Sequence, residues 1–157
     1  MADIHYGVTP REVAAGLTGL ELLRGAMEGR LPSPPMSQGL NFQLVEAEDG
    51  RVLFEGEPGA EHLNPLGSVH GGWALTLIDS ACGCAGHSIL GAGVGYTTLE
   101  TKANFTRALA PDGNTVRVEG TVLSRGRTII TTEARMTDAD GRLLAHGTST
   151  LLVLRPK

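Results

Sequence analysis

Between residues 70 and 90 the chain carries one carboxylate, Asp79, and no Lys, Arg, Glu or second Asp. The stretch 71–90, GGWALTLIDSACGCAGHSIL, reads as a long helix that is apolar on most sides. Such a helix has to be wrapped by other elements, because a helix laid on a surface would leave apolar flank in water. A lone ionised group inside it costs several kcal/mol unless it is paired or used.

The rest of the chain supplies strands to do the wrapping. Asp49-Gly50 sits between two apolar-rich runs in residues 39–58, a strong hairpin signal. After the helix come four strand-like runs, 97–107, 115–124, 127–137 and 142–154. Val116, Val118 and Val122 alternate with Arg117, Glu119 and Thr121, as in a strand with one wet face. Pro111-Asp112-Gly113 and residues 138–141 supply turns too short for crossover helices, so neighbouring strands are expected to be antiparallel. The predicted fold class is α+β: one antiparallel sheet wrapped around one central helix.

Residues 1–38 are expected to form an N-terminal helix and an extended connector, ahead of a single domain over 39–157. Pro10 is a helix starter, Thr9 a candidate N-cap, and Val13, Leu17, Leu20 and Met27 fall near helical spacing, so one helix is expected over 10–28. The stretch LPSPPMSQG (31–39) is rich in turn formers. Its N-terminus, MADIHYGVTPREV, has no apolar core of a secretion signal, and no run of about 18 apolar residues suits a membrane span. A net charge of −4 without a basic stripe speaks against nucleic acid. Cys82 and Cys84 are too few for a disulfide framework or a zinc site, and read as small buried hydrophobes in a reducing cytoplasm.

On a helical wheel, Gly72, Leu75, Thr76, Cys82, Gly83 and Gly86 fall on the Asp79 side, while Ala74, Leu77, Ala81 and Cys84 form the opposite, core-facing seam. Glycines cost about 1 kcal/mol each relative to Ala inside a helix. Something is therefore expected to approach the backbone there, either another chain or a ligand. Asp79 could be a solvated surface residue, half of a structural ion pair, or a general base or nucleophile in a cleft. Val69-His70-Gly71-Gly72 stands at the helix entry, where unpaired N–H groups could polarise a carbonyl oxygen. A Gly pair or a lone His is weak evidence by itself.

Taken together, Asn64, Gly67, His70, Gly71 and Gly72, then WALTLI and Asp79, make the pattern N-x-x-G-x-x-H-G-G followed by Asp. This resembles the hotdog-fold thioesterases, in particular the phenylacetate-pathway (PaaI-like) branch, over about residues 40–154. The resemblance implies that Asp79 is the catalytic carboxylate and that the Gly71 N–H polarises the thioester carbonyl. It makes Asn64 a group that positions water or carbonyl, His70 a positioning group, and Thr98 a hydroxyl assisting the water. Gly72 would line the substrate. Where some relatives carry Thr one turn after the carboxylate, this chain has Gly83. The resemblance also implies a site between two subunits, in a homodimer that assembles into a homotetramer.

The expected reaction is hydrolysis of an acyl- or aryl-CoA thioester to free acid and CoA. It requires no cofactor or metal, since CoA belongs to the substrate. Arg125-Gly126-Arg127, Lys102 and Arg107 are candidates to meet the CoA phosphates, though solvated charges explain them equally well. The alternatives are a non-catalytic acyl-CoA-binding module and a hotdog dehydratase, and the His-Gly-Gly entry fits the latter poorly.

Overall fold

A computed structural model describes residues 4–156. Its N-terminal part holds three short helices, α1 (Arg11–Ala14), α2 (Gly19–Met27) and α3 (Pro35–Gly39). The hairpin β1 (Phe42–Glu48) and β2 (Arg51–Gly56) follows, then the long helix α4 (Gly71–Ser88). Strands β3 (Gly95–Phe105), β4 (Val116–Arg125), β5 (Ile129–Thr137) and β6 (Leu143–Leu154) complete the chain. All six strands form one antiparallel sheet in the order β1-β2-β4-β5-β6-β3. The sheet curls around α4, which touches every strand.

The hairpin follows from its turn chemistry. Glu48 pairs with Arg51 across a two-residue turn, and Gly50 takes φ +79° there, a conformation that glycine adopts without steric cost. One connection departs from the simple reading of short turns. Strands β3 and β4 follow each other in sequence but lie three positions apart in the sheet, with β6 and β5 between them. The intervening residues 106–115 have to cross only about 14 Å at normal strand spacing, well within an extended chain's reach.

Leu77, Ile78, Ala74 and Ala81 of α4 are fully buried, in one cluster with Val52, Val118, Met136 and Ala145 of the sheet. Each large aliphatic side chain buried this way contributes about 1.5–3 kcal/mol. Trp73 is core, as its neighbours suggest, and its indole N–H donates to the Leu40 carbonyl at 2.8 Å. The small residues let helix and sheet come close: a Cβ on Gly120 of β4 would fall on the Ala81 carbonyl.

Three local expectations are corrected. The helix expected over 10–28 is two helices, because Thr18 breaks it: its side chain accepts from the Glu21 N–H, and Glu21 reaches back to the Thr18 N–H, a full capping box. Pro10, not Thr9, precedes the first helical residue. The connector is not wholly extended, since α3 starts within its Pro-Pro pair.

The glycine face of α4 is also occupied differently. The neighbours are the chain's own side chains: Tyr96 lies over Gly83, Leu151 over Gly86, and the His70 ring beside Gly72. The curl of the sheet brings β3 and β6 across the helix's second half, so Cys82 is fully buried and Cys84, assigned to the core seam, opens onto a pocket.

Candidate active site

Helix α4 and the edge strand β3 run past each other in opposite directions. Tyr96 meets Gly83, Thr101 meets Asp79, and the Phe105 ring lies against Gly71. Asp79 is half-buried. Its Oδ1 accepts the Thr101 hydroxyl at 2.7 Å. Thr101 Oγ1 lies 3.0 Å from Ser149 Oγ, and the Ser149 hydroxyl donates to the Glu100 carbonyl at 2.9 Å. The carboxylate is thus anchored at one oxygen by a chain of hydroxyls, while no basic side chain pairs with it among the described residues.

Asp79 and Ser80 form part of the wall of an apolar chamber of about 250 Å³. Cys84 and Tyr96 extend the same wall. Leu23 and Met27 of α2, Met36 of α3, and Phe42, Leu44 and Phe54 of the hairpin close the other sides. Burial pushes the Cys82 thiol up to about 11 and the Cys84 thiol up to about 12, with the Asp79 charge adding to both, so neither is a thiolate at neutral pH. Burial likewise drives the Tyr96 phenol upward.

The His-Gly-Gly entry is built at the other end of α4. His70 is the N-cap: its Nδ1 accepts from the Gly72 N–H at 2.8 Å. A Cβ on Gly72 would press on that ring at 2.9 Å, so a glycine is needed for this cap. The cap uses the Gly72 donor and leaves the Gly71 N–H without an acceptor among the described residues. Preceding it, Asn64 closes a tight loop. Its Oδ1 accepts from the N–H groups of Leu66 and Ser68, and its Nδ2 donates to Ser68 Oγ. Gly67 completes the loop at φ +80°.

These residues fall into separate groups. Asn64, His70, Gly71 and Gly72 cluster at the start of α4, and Asp79 stands eight residues on, about 12 Å along the axis. Thr98 faces inward on β3 opposite Leu151, but the hydroxyl on Asp79 is that of Thr101. Arg125 and Arg127 lie beyond the far end of α4. The Arg125 guanidinium donates to the Ile89 carbonyl at 2.7 Å, where a cation favours the helix terminus. Gly126 closes the β4–β5 turn through the Ile129 carbonyl, and Arg127 is exposed. Lys102 and Arg107 are exposed along and beyond β3.

Sequence reasoning missed Thr101 and Ser149, and the reason is a β-bulge. The register of β3 on β6 shifts between Thr98 and Glu100. Plain alternation from Thr98 would point Thr101 outward, whereas the extra residue, Leu99, brings Thr101 onto the inward face beside Ser149.

A six-stranded antiparallel sheet curled around one long helix is the architecture of the hotdog thioesterases. Comparison with known proteins agrees: the thioesterase superfamily model matches residues 66–145. The chain belongs to that superfamily. It is 31% identical over 124 residues to acyl-coenzyme A thioesterase 13 of Homo sapiens, covering 73% of this chain and 86% of the relative. The structure of smu.793 from Streptococcus mutans, bound to acetyl-CoA, superposes with a TM-score of 0.67 at 28% identity, covering 74% of this chain and 91% of that one. A phenylacetic acid degradation-related protein from Ralstonia eutropha shares the fold at 22% identity, with a TM-score of 0.76 over 83% of this chain and 98% of its own.

Proposed function

We propose that this protein hydrolyses acyl- or aryl-CoA thioesters to the free acid and CoA, with Asp79 as general base. The observation that carries the reading is Asp79 itself: a carboxylate without a cationic partner among the described residues, anchored through one oxygen to Thr101, on the wall of an apolar chamber. Its second oxygen is available to take a proton from water as that water attacks the thioester carbon. The tetrahedral oxyanion then collapses, the C–S bond breaks, and the departing thiolate of CoA receives the proton held by Asp79. The relatives' coenzyme A chemistry supports this choice of substrate.

The oxyanion needs a donor about 3 Å away, and the free Gly71 N–H suits that task. Within one chain it stands about 12 Å along α4 from Asp79. We therefore assign the donor to Gly71 of a second copy, so that the working unit is a homodimer, with the homotetramer as its further assembly. Asn64 and His70 hold that entry in shape, and Thr98, on the inward face of β3, is the further hydroxyl assigned to assist the water. Arg125-Gly126-Arg127, Lys102 and Arg107 are the candidates assigned to meet the CoA phosphates. The unpaired cysteines fit a cytoplasmic protein, and no helix among the described residues is long and apolar enough to cross a membrane.

Asp79→Asn tests the reading. The variant should bind acyl-CoA with little change while kcat falls by about 10²–10⁴, the usual contribution of a general base. Undiminished turnover would reject Asp79 as the base, and a wild type that binds thioesters without hydrolysing any of them would be a binding module. Single-turnover hydrolysis in ¹⁸O-water tests for a covalent intermediate: label within Asp79 establishes an anhydride, and label in the acid product alone is the outcome expected of the base.

A further inference from the structure

We infer that the segment running from α2 to α3 sets which acyl group is accepted, and that the chamber takes a compact apolar group, an aryl ring with a short arm or a chain of about ten carbons at most. This rests on the thioesterase reading above.

The argument begins with what surrounds Asp79. The chamber has the carboxylate on its α4 side and Ala26 and Met27 of α2 and Met36 of α3 among its other walls. An acyl carbon attacked beside Asp79 can send its chain into this space. The segment lies ahead of residues 66–145, which the superfamily model matches.

The wall is fixed rather than loosely laid. The Thr18–Glu21 capping box starts α2. Arg24 Nε donates to the Ala47 carbonyl at 3.1 Å, tying the helix to β1. Leu23 is buried with the central core. The Gly19 N–H donates to the Leu90 carbonyl just past the end of α4. A wall held at both ends defines a size limit, because neighbours that cannot move reject extra methylenes.

The size follows from volume. An apolar cavity of about 150 Å³ holds one benzene molecule. On that scale 250 Å³ holds about ten carbons. The lining is chiefly apolar, and the buried Ser37 hydroxyl is already spent on the Pro34 carbonyl at 2.7 Å. The lining residues include no Lys, Arg or His to pair with a charged acyl group such as a dicarboxylic half-thioester.

The test is a kcat/KM series over acetyl-, hexanoyl-, phenylacetyl-, decanoyl- and hexadecanoyl-CoA, with free thiol as readout. Wild type should favour phenylacetyl- or decanoyl-CoA over hexadecanoyl-CoA by at least about tenfold, in line with the discrimination apolar pockets achieve. Met27→Ala enlarges the chamber and should raise the hexadecanoyl-to-hexanoyl ratio about tenfold. Ala26→Leu fills it and should lower the decanoyl-to-acetyl ratio by a similar factor. Thermal melts establish that each variant is folded; Met36→Ala, which also enlarges the chamber, replaces Met27→Ala if that variant is not, and either direction of change alone suffices for the test. An unchanged ranking of substrates in folded, active variants overturns this inference alone. A wild type that hydrolyses none of the five overturns the thioesterase reading and this inference with it.

Discussion

Thr101 donates its hydroxyl to Oδ1 of Asp79 at 2.7 Å, and Ser149 stands behind it at 3.0 Å. A hydroxyl in this place holds the carboxylate in one rotamer on the wall of the chamber. Replacing it by the isosteric Thr101→Val removes the bond while keeping the volume. The expected result is a fall in kcat of about 10–100-fold, with KM changed less than threefold, as for loss of positioning rather than of binding. Thr101→Ser, which restores the hydroxyl, should recover most of the rate. Steady-state kinetics on one good thioester decides it, and equal kcat in wild type and Thr101→Val would remove Thr101 from the machinery.

The separation of Gly71 from Asp79 along α4 yields a complementation experiment. Gly71 is the first residue of the helix and follows an extended His70, so proline is tolerated there while deleting the N–H. Gly71→Pro and Asp79→Asn should each be nearly inactive. Mixed in equal amounts and allowed to exchange subunits, they should regain about a quarter of wild-type activity, because half the dimers are hybrids with one intact site of two. Mixtures as inactive as the parents would place the whole site within a single chain.

Gly120 carries a stability prediction. A Cβ there would meet the Ala81 carbonyl and its carbon, and neither helix backbone nor strand can yield without shifting the sheet. Gly120→Ala should destabilise by about 1–3 kcal/mol, lowering the melting temperature by roughly 2–10 °C for a chain of this size. Calorimetry at fixed protein concentration measures it.

His87 makes stability pH-dependent. Burial pushes its imidazole below the ordinary 6.5, its ring lies 5.4 Å from that of Tyr96, and Arg11 and Arg155 border the same hollow. The folded state therefore prefers the neutral ring, and the unfolded chain binds the proton more readily. That contribution is present above about pH 6.5 and is lost as pH falls below it. Urea midpoints of wild type should drop more between pH 7.5 and 5.5 than those of His87→Gln. Parallel curves would dismiss the effect.

Much of this architecture is legible in the residues themselves. Asp49-Gly50 marks the hairpin, the apolar run around Asp79 demands a wrapped helix, and the alternating valines of 116–122 give a one-sided strand. Each is a local signal that agrees with the global fold. The features that escape are those in which distant residues decide. The bulge at Leu99 inverts the facing of Thr101, and no periodicity in β3 announces it. Gly83 and Gly86 advertise a close approach but not that Tyr96 and Leu151 make it. Thr18-Gly19-Leu20-Glu21 did carry a readable stop signal, the capping box, which outweighs the apolar spacing on either side of it. In the site, Asp79 and the His-Gly-Gly entry stand out by residue type, while the chamber arises only when α2 folds back on α4.

That folding back divides the labour of the molecule along its length. Under the proposed reading, Asp79 and the Gly71 amide lie within the stretch that the superfamily model matches, whereas part of the wall that would measure the substrate comes from the stretch ahead of it. Grafting residues 4–38 between paralogues would then transplant a preference without disturbing the chemistry, which makes the leading segment the natural place for such enzymes to diverge.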